Sequence, residues 1–227
     1  MKFDRTVCLN LDKRINERHR IAKEFSAHDI EVSFFLVGNG TLANYQYDHI
    51  DEIKPPTCFS YPWAERMSSY NAFLSFKKIV SKAIDDNITS LLICEDDVSL
   101  TPDFKSTLER AERQIKENNV TWDILYLGAN HTWASTEQVS DNLLRLRHNS
   151  LCWHCVALNK SIFSDVLRLP IMGPIDYICG KMLQPIKKCY AVWPSIAVQQ
   201  PGYSYCDGKV RDYSEFWSSK GSCDVIR

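Results

Sequence analysis

The stretch Leu91-Leu92-Ile93-Cys94-Glu95-Asp96-Asp97-Val98 constrains this chain more than any other. Four apolar residues run directly into three consecutive carboxylates, and the chain then returns to apolar Val98 and Leu100. A short apolar run of this kind fits a buried strand. Carboxylates crowded at its end repel one another and lose hydration, a costly arrangement unless a cation meets them. In open α/β sheets, ligands bind beyond the carboxyl ends of strands, which is where this triplet falls. Extended geometry places Glu95 and Asp97 on one side and Asp96 on the other. Hard cations such as Mg2+ or Mn2+ take carboxylate oxygens and share them with substrate phosphates. A solvated acidic turn, with Asp97 capping something local, is the plainer reading of the same residues.

Around this strand the pattern alternates strand and helix, which predicts an α/β sheet with helices on both faces. Strands are expected at 6–11, 32–37, 90–94, 122–127, 143–147, 151–158 and 189–193. Helices are expected at 13–27, 63–84, 160–169 and 176–184, with another after Thr101-Pro102 that runs to about residue 118. Thr101 reads as its N-cap with Pro102 at the first helical position, and Asn159 as the cap of the helix after it. Gly128 reads as a strand terminator, and 129–141 as a polar connection. Residues 41–62, with Pro55-Pro56 and Pro62, read as a long loop of the kind that carries part of a binding site.

The 27 basic and 28 acidic residues leave a formal charge of −1, so the basic field on which nucleic-acid affinity rests is absent. No apolar run approaches the roughly 20 residues of a spanning helix, and none precedes the first strand as a signal peptide. The expectation is a soluble, cytoplasmic protein with reduced thiols. The nine cysteines are scattered, and Cys152-Trp153-His154-Cys155 lacks the second ligand pair a zinc site would need, so it reads as strand.

Several blocks in order carry a resemblance to the family 25 glycosyltransferases, which include lipooligosaccharide and collagen galactosyltransferases. Val7-Cys8-Leu9-Asn10-Leu11-Asp12-Lys13-Arg14, with Arg18 and Arg20 beyond, resembles their opening strand and arginine-rich helix start. Asn71-Ala72-Phe73-Leu74-Ser75-Phe76 stands where the family has Gly-Cys-x-x-Ser-His, with Phe76 in place of the histidine. Glu95-Asp96-Asp97-Val98, Trp122 to Gly128, Pro174-Ile175-Asp176 and Ala197 to Ser204 resemble the remaining blocks.

The resemblance implies a GT-A-like, Rossmann-like mixed sheet in one domain, residues 1–205, with the tail 206–227 packed on or near the active site. It implies transfer of a sugar from a nucleotide-sugar donor, a UDP-sugar, to a hydroxyl of a glycan or glycoprotein acceptor, with inversion. Glu95 and Asp97 would hold Mn2+ or Mg2+, and Asp96 would reach the ribose or the metal. Leu9, Asn10, Arg14 and Gln200 would line the donor site. Asp176 would be the general base, or else an N-cap, with Asp123 and Asp207 in reserve. A non-catalytic sugar- or nucleotide-binding module is one rival. Another is a nucleotidyl- or phosphoryl-transfer enzyme, which would want a glycine-rich loop after the first strand, and residues 8–20 hold no glycine.

Overall fold

A computed structural model describes residues 1–37, 67–204, 209–216 and 220. Its strands are β1 (Arg5–Leu11), β2 (Ser33–Val37), β3 (Ser90–Glu95), β4 (Val98–Leu100), β5 (Ile124–Asn130) and β6 (Ser135–Ser140). They continue with β7 (Leu143–His148), β8 (Leu151–Asn159), β9 (Cys189–Val192), β10 (Ala197–Gln199), β11 (Gly202–Ser204) and β12 (Lys209–Arg211). The helices are α1 (Ile15–Ser26), α2 (Met67–Asp85), α3 (Phe104–Glu117), α4 (Lys160–Arg168) and α5 (Ile175–Met182), and a 3-10 turn spans Ser214–Phe216.

Eight strands form one mixed sheet in the order β2-β1-β3-β8-β5-β9-β7-β6. Strands β1, β2 and β3 are mutually parallel, β8 runs antiparallel between β3 and β5, and β9 is parallel to β5. The period of two along each strand divides the apolar residues between two layers. Val7, Leu9, Leu91, Ile93, Tyr126 and Val156 face α2, α4 and α5. Cys8, Leu92, Cys94, Leu125, Leu127 and Cys155 face α1 and α3. The mixed α/β sheet with helices on both faces is the architecture expected from the sequence.

Local departures have local causes. Helix α3 starts at Phe104 with Asp103 in the cap position, so Thr101 is not its N-cap; Thr101 Oγ1 instead donates to Asp103 Oδ1 at 2.8 Å. Asn159 does cap α4, its side chain accepting from Ser161 N–H at 3.2 Å. Gly128 does not end β5, which runs to Asn130 with register shifts against β8 on either side of it. A Cβ there would stand 2.0 Å from the Ala197 carbonyl oxygen and 2.3 Å from His154 Nε2, so only glycine lets β10 cross so closely. Residues 135–140, read as part of a connection, form β6, the edge strand against β7. The loop expected at 41–62 lies outside the described residues.

Candidate active site

From β1 the chain goes to β2 on one side and returns through α2 to β3 on the other, so the strand order switches between β1 and β3. A crevice opens at such a point beyond the strand ends. Leu9 pairs with Glu95 there, and the next two residues, Asp96 and Asp97, form the turn into β4.

Asp96 turns toward β1, as the alternation predicts. Its Oδ2 accepts from Asn10 Nδ2 at 2.9 Å and from the Leu11 N–H at 3.1 Å, while Arg14 pairs with its Oδ1. Burial raises its carboxyl, and Arg14, the Leu11 N–H and Asn10 pull it back toward the ionised form. Arg14 holds the cap position of α1, pairs with Asp96 and lines the cleft, so one residue serves both the turn and the opening. Arg20, one turn and a half further along α1, latches the same turn from outside. It donates to the carbonyls of Asp96 at 3.0 Å and Val98 at 2.8 Å and pairs with Glu17 and Glu24. Its role was not apparent in the sequence, where it is one basic residue among several on a helix.

Glu95 and Asp97 are left half-buried on the other side. Burial, and then repulsion from Asp97, Asp176 and Asp96, pushes the Glu95 carboxyl well above the usual range. Asp97 is pushed up to about 6, by burial and then by Asp96, against the pull of Arg14 and Gln199. Asp97 Oδ2 accepts from Gln199 Nε2 at 3.1 Å, and its buried Oδ1 has no hydrogen-bond partner among the described residues. Gln199 arrives because β10 pairs antiparallel with β4, opposite Val98. Gln200 follows, with its N–H on the Asp97 carbonyl at 2.8 Å and its side chain exposed at the cleft. The hairpin β11–β12 closes that wall, adding Tyr203, Arg211 and then Tyr213. Gln199 lay inside a block matched at the sequence level; Arg211 and Tyr213 carried no signal there.

Asp176 sits in the first turn of α5, not at its cap, which is Pro174. Its carboxylate accepts from Cys152 N–H and Tyr177 N–H, both at 2.8 Å; burial raises it and these bonds oppose the rise. Its charge acts on Glu95, so the switch point and the α5 terminus share one electrostatic environment. Asp123 precedes β5, at the opposite end of the strands from the acidic turn, where it accepts from Ser161 Oγ and Lys188 N–H. That position removes it from the reserve; Asp207 lies outside the described residues. Cys155 is buried between layers, whereas Cys152, with φ 65°, stands half-buried beside these carboxylates; both are free thiols. Phe76, in the place of the family histidine, is buried with its ring 5.5 Å from Trp153, a core contact.

Among the described residues no three His, Cys, Asp or Glu side chains converge to hold a metal by themselves. Asp96 is committed to β1 and α1, which leaves Glu95 and the orphaned Asp97 Oδ1. Two neighbouring carboxylates, of which Asp97 lines the cleft, suit a Mg2+ or Mn2+ ion whose remaining positions would be filled by phosphate and water.

The model of glycosyltransferase family 25 (LPS biosynthesis protein) matches residues 4–154, which include β1, α1, the acidic turn and the start of β8. The chain belongs to glycosyltransferase family 25. Procollagen galactosyltransferase 1 of Danio rerio is 25% identical over 131 residues, 56% of this chain and 22% of that protein. The probable inactive glycosyltransferase 25 family member 3 of Bos taurus is 22% identical over 210 residues, 90% of this chain and 33% of that protein. The family 25 chain thus spans a fifth to a third of these relatives. Among solved structures, a glycosyltransferase involved in glycosylation of the major capsid of PBCV-1 aligns with TM-score 0.46 and 9% identity. That alignment covers 89% of this chain and 95% of the other. No helix among the described residues is long and apolar enough to cross a membrane.

Proposed function

We propose that the chain is a glycosyltransferase that moves a sugar from a nucleotide-sugar, a UDP-sugar by its likeness to galactosyltransferases, onto an acceptor hydroxyl with inversion. The observation that carries this reading is the division of labour in the acidic turn. Asp96 is neutralised by β1 and α1, while Asp97 lines the cleft and Glu95 stands behind it, both carboxyls pushed up by burial and by neighbouring acids. Glu95 and Asp97 would hold Mn2+ or Mg2+, which when bound would supply positive charge to stabilise the departing nucleoside diphosphate. Arg14 and Arg211 line the same cleft as Asp97 and suit the remaining phosphate charge. By the family resemblance Leu9, Asn10 and Asp96, buried at the turn, would support the nucleoside, and Gln200, which lines the cleft, would form its rim. The segment 209–216 supplies part of the wall, which supports a tail that completes the domain of residues 1–205.

In the transfer step the acceptor oxygen attacks the anomeric carbon opposite the leaving diphosphate. Asp176 takes the hydroxyl proton as the new C–O bond forms. Burial makes its carboxylate a stronger base, and the Cys152 and Tyr177 N–H groups fix its orientation.

Thermal denaturation with a panel of nucleotide-sugars, each with and without Mn2+, tests the reading. A donor that binds the native state must raise the melting temperature, by a shift that depends on the metal. Release of nucleoside diphosphate should follow, and excess chelator should abolish it. Metal-dependent binding without turnover would instead favour the non-catalytic module, a reading given weight by the inactive relative that matches 90% of this chain.

A further inference from the structure

The end of the sheet that carries the acidic turn also carries an exposed tryptophan, Trp133, that the donor site does not use. Strand β5 is parallel to β3, since β8 runs antiparallel to both, so Asn130 lies at the end of the sheet where Glu95 lies. The turn after Asn130 is held from within. Thr132 N–H donates to Asn130 Oδ1 at 2.9 Å, Ala134 N–H to the His131 carbonyl at 2.9 Å, and His131 Nδ1 meets Ser150 Oγ at 2.9 Å. Asn130, His131 and Ala134 are buried, yet Trp133 between them is 64% exposed. A fixed turn that holds an indole in water adds nothing to the core and presents a flat apolar face.

That face is continuous with the cleft. The Trp133 ring lies 6.1 Å from Phe216, and Phe216 lies 6.1 Å from Tyr213, which lines the cleft with Asp97. Asn130 also pairs with Leu151, and the next residue, Cys152, holds Asp176 through its N–H. The strip therefore leads from solvent toward both the acidic turn and the α5 carboxylate.

We propose that Trp133 is the platform of an acceptor subsite that takes a pyranose ring, with the ring's C–H face stacked on the indole. This rests on the transferase reading. A pyranose has an apolar C–H face and a rim of hydroxyls, and this surface offers a match to each. The aromatic strip meets the face, and the polar groups of the adjoining cleft rim, the exposed Gln200 amide among them, meet the hydroxyls.

The test uses methyl β-galactopyranoside, methyl α-glucopyranoside and methyl α-mannopyranoside as probes, with saturation-transfer NMR on the whole chain. Trp133→Ala, Trp133→Phe and the remote exposed control Ile186→Ala are compared. At least one pyranoside should receive saturation through its ring C–H protons. Trp133→Ala should lose it, Trp133→Phe should keep part of it, and Ile186→Ala should keep all of it, with uridine diphosphate affinity unchanged throughout. In transfer, Trp133→Ala should raise acceptor KM by about tenfold or more with kcat little altered, the pattern of lost acceptor binding. Saturation undiminished in Trp133→Ala, or absent for all three sugars in the native chain, would overturn the platform. Nucleotide-sugar hydrolysis that persists in that case leaves the transferase reading standing. Tryptophan-dependent sugar binding without any nucleotide-sugar turnover overturns the transferase reading, and with it the acceptor role.

Discussion

Asp97 combines an orphaned buried oxygen, a carboxyl pushed up to about 6 and a position facing the cleft. Its charge is unfavourable to the fold on its own, which separates stability from activity. Asp97→Asn should raise the melting temperature of the metal-free protein at neutral pH by a few degrees. About 1 kcal/mol is reasonable for a half-buried charge that water still reaches. The same variant should lose more than ~100-fold in transfer, and retention within about tenfold, roughly 1.4 kcal/mol of barrier, would remove the metal assignment. Asp176→Asn asks a different question, because the amide keeps its size but can accept from only one of the Cys152 and Tyr177 N–H groups, which meet different oxygens, so its melting temperature is read alongside its kinetics. A general base predicts turnover lower by about 10²–10⁴ with donor affinity unchanged. Unchanged turnover with a higher acceptor KM would make Asp176 a binding group instead.

The elements that build the site are fastened to one another at points of close approach. Gly128 is the tightest, since β10 crosses β5 there and carries Gln199 to Asp97. Gly128→Ala should destabilise the protein by ~3 kcal/mol or more, because the atom met is a backbone carbonyl that cannot rotate away. Chemical denaturation would read this, and a change below about 1 kcal/mol would mean β10 can shift without loss. The variant should also weaken donor binding, since displaced β10 releases Asp97. Alternation and turn residues made most elements legible: α4 begins at the Asn159 cap and the sheet residues sort by parity. Where legibility failed, long-range pairing had overridden local pattern. Ser135–Ser140 is polar because it forms the sheet edge, and it becomes a strand only by pairing with β7.

Across the molecule, two buried histidines make stability depend on pH. His131 and His154 are each held down to about 4 by burial, His131 additionally by His154, while an unfolded histidine titrates near 6.5. Between these values the unfolded chain binds more protons, so their contribution is intact above pH 6.5 and is lost as pH falls toward 4. A shift of this size corresponds to a loss of up to about 3 kcal/mol for each group. The raised carboxyls of Glu95 and Asp97 work in the opposite sense, so the comparison must be made by difference. Melting curves of the native chain and His131→Asn from pH 7.5 to 4.5 should converge as pH falls, with the variant losing less stability. Parallel curves would show that His131 is already accessible to protons.

The sequence by itself determined the layers of this protein and the place where its acids gather. Apolar residues at period two or 3.6 admit few ways of being buried, and three carboxylates behind a buried strand can only emerge at its end. It also determined that Asp96 would part from Glu95 and Asp97, because adjacent side chains on extended backbone point apart. Tertiary structure alone decided which distant groups meet them. Arg20 reaches the turn from α1, Gln199 reaches Asp97 through the pairing of β10 with β4, and Tyr213 joins Asp97 through the β11–β12 hairpin. Asp176 comes near Glu95 only because β8 runs antiparallel to β3, which brings Cys152 and the α5 terminus to the same end of the sheet. Those contacts join residues scores of positions apart. They follow from strand order and direction, which local propensity does not encode.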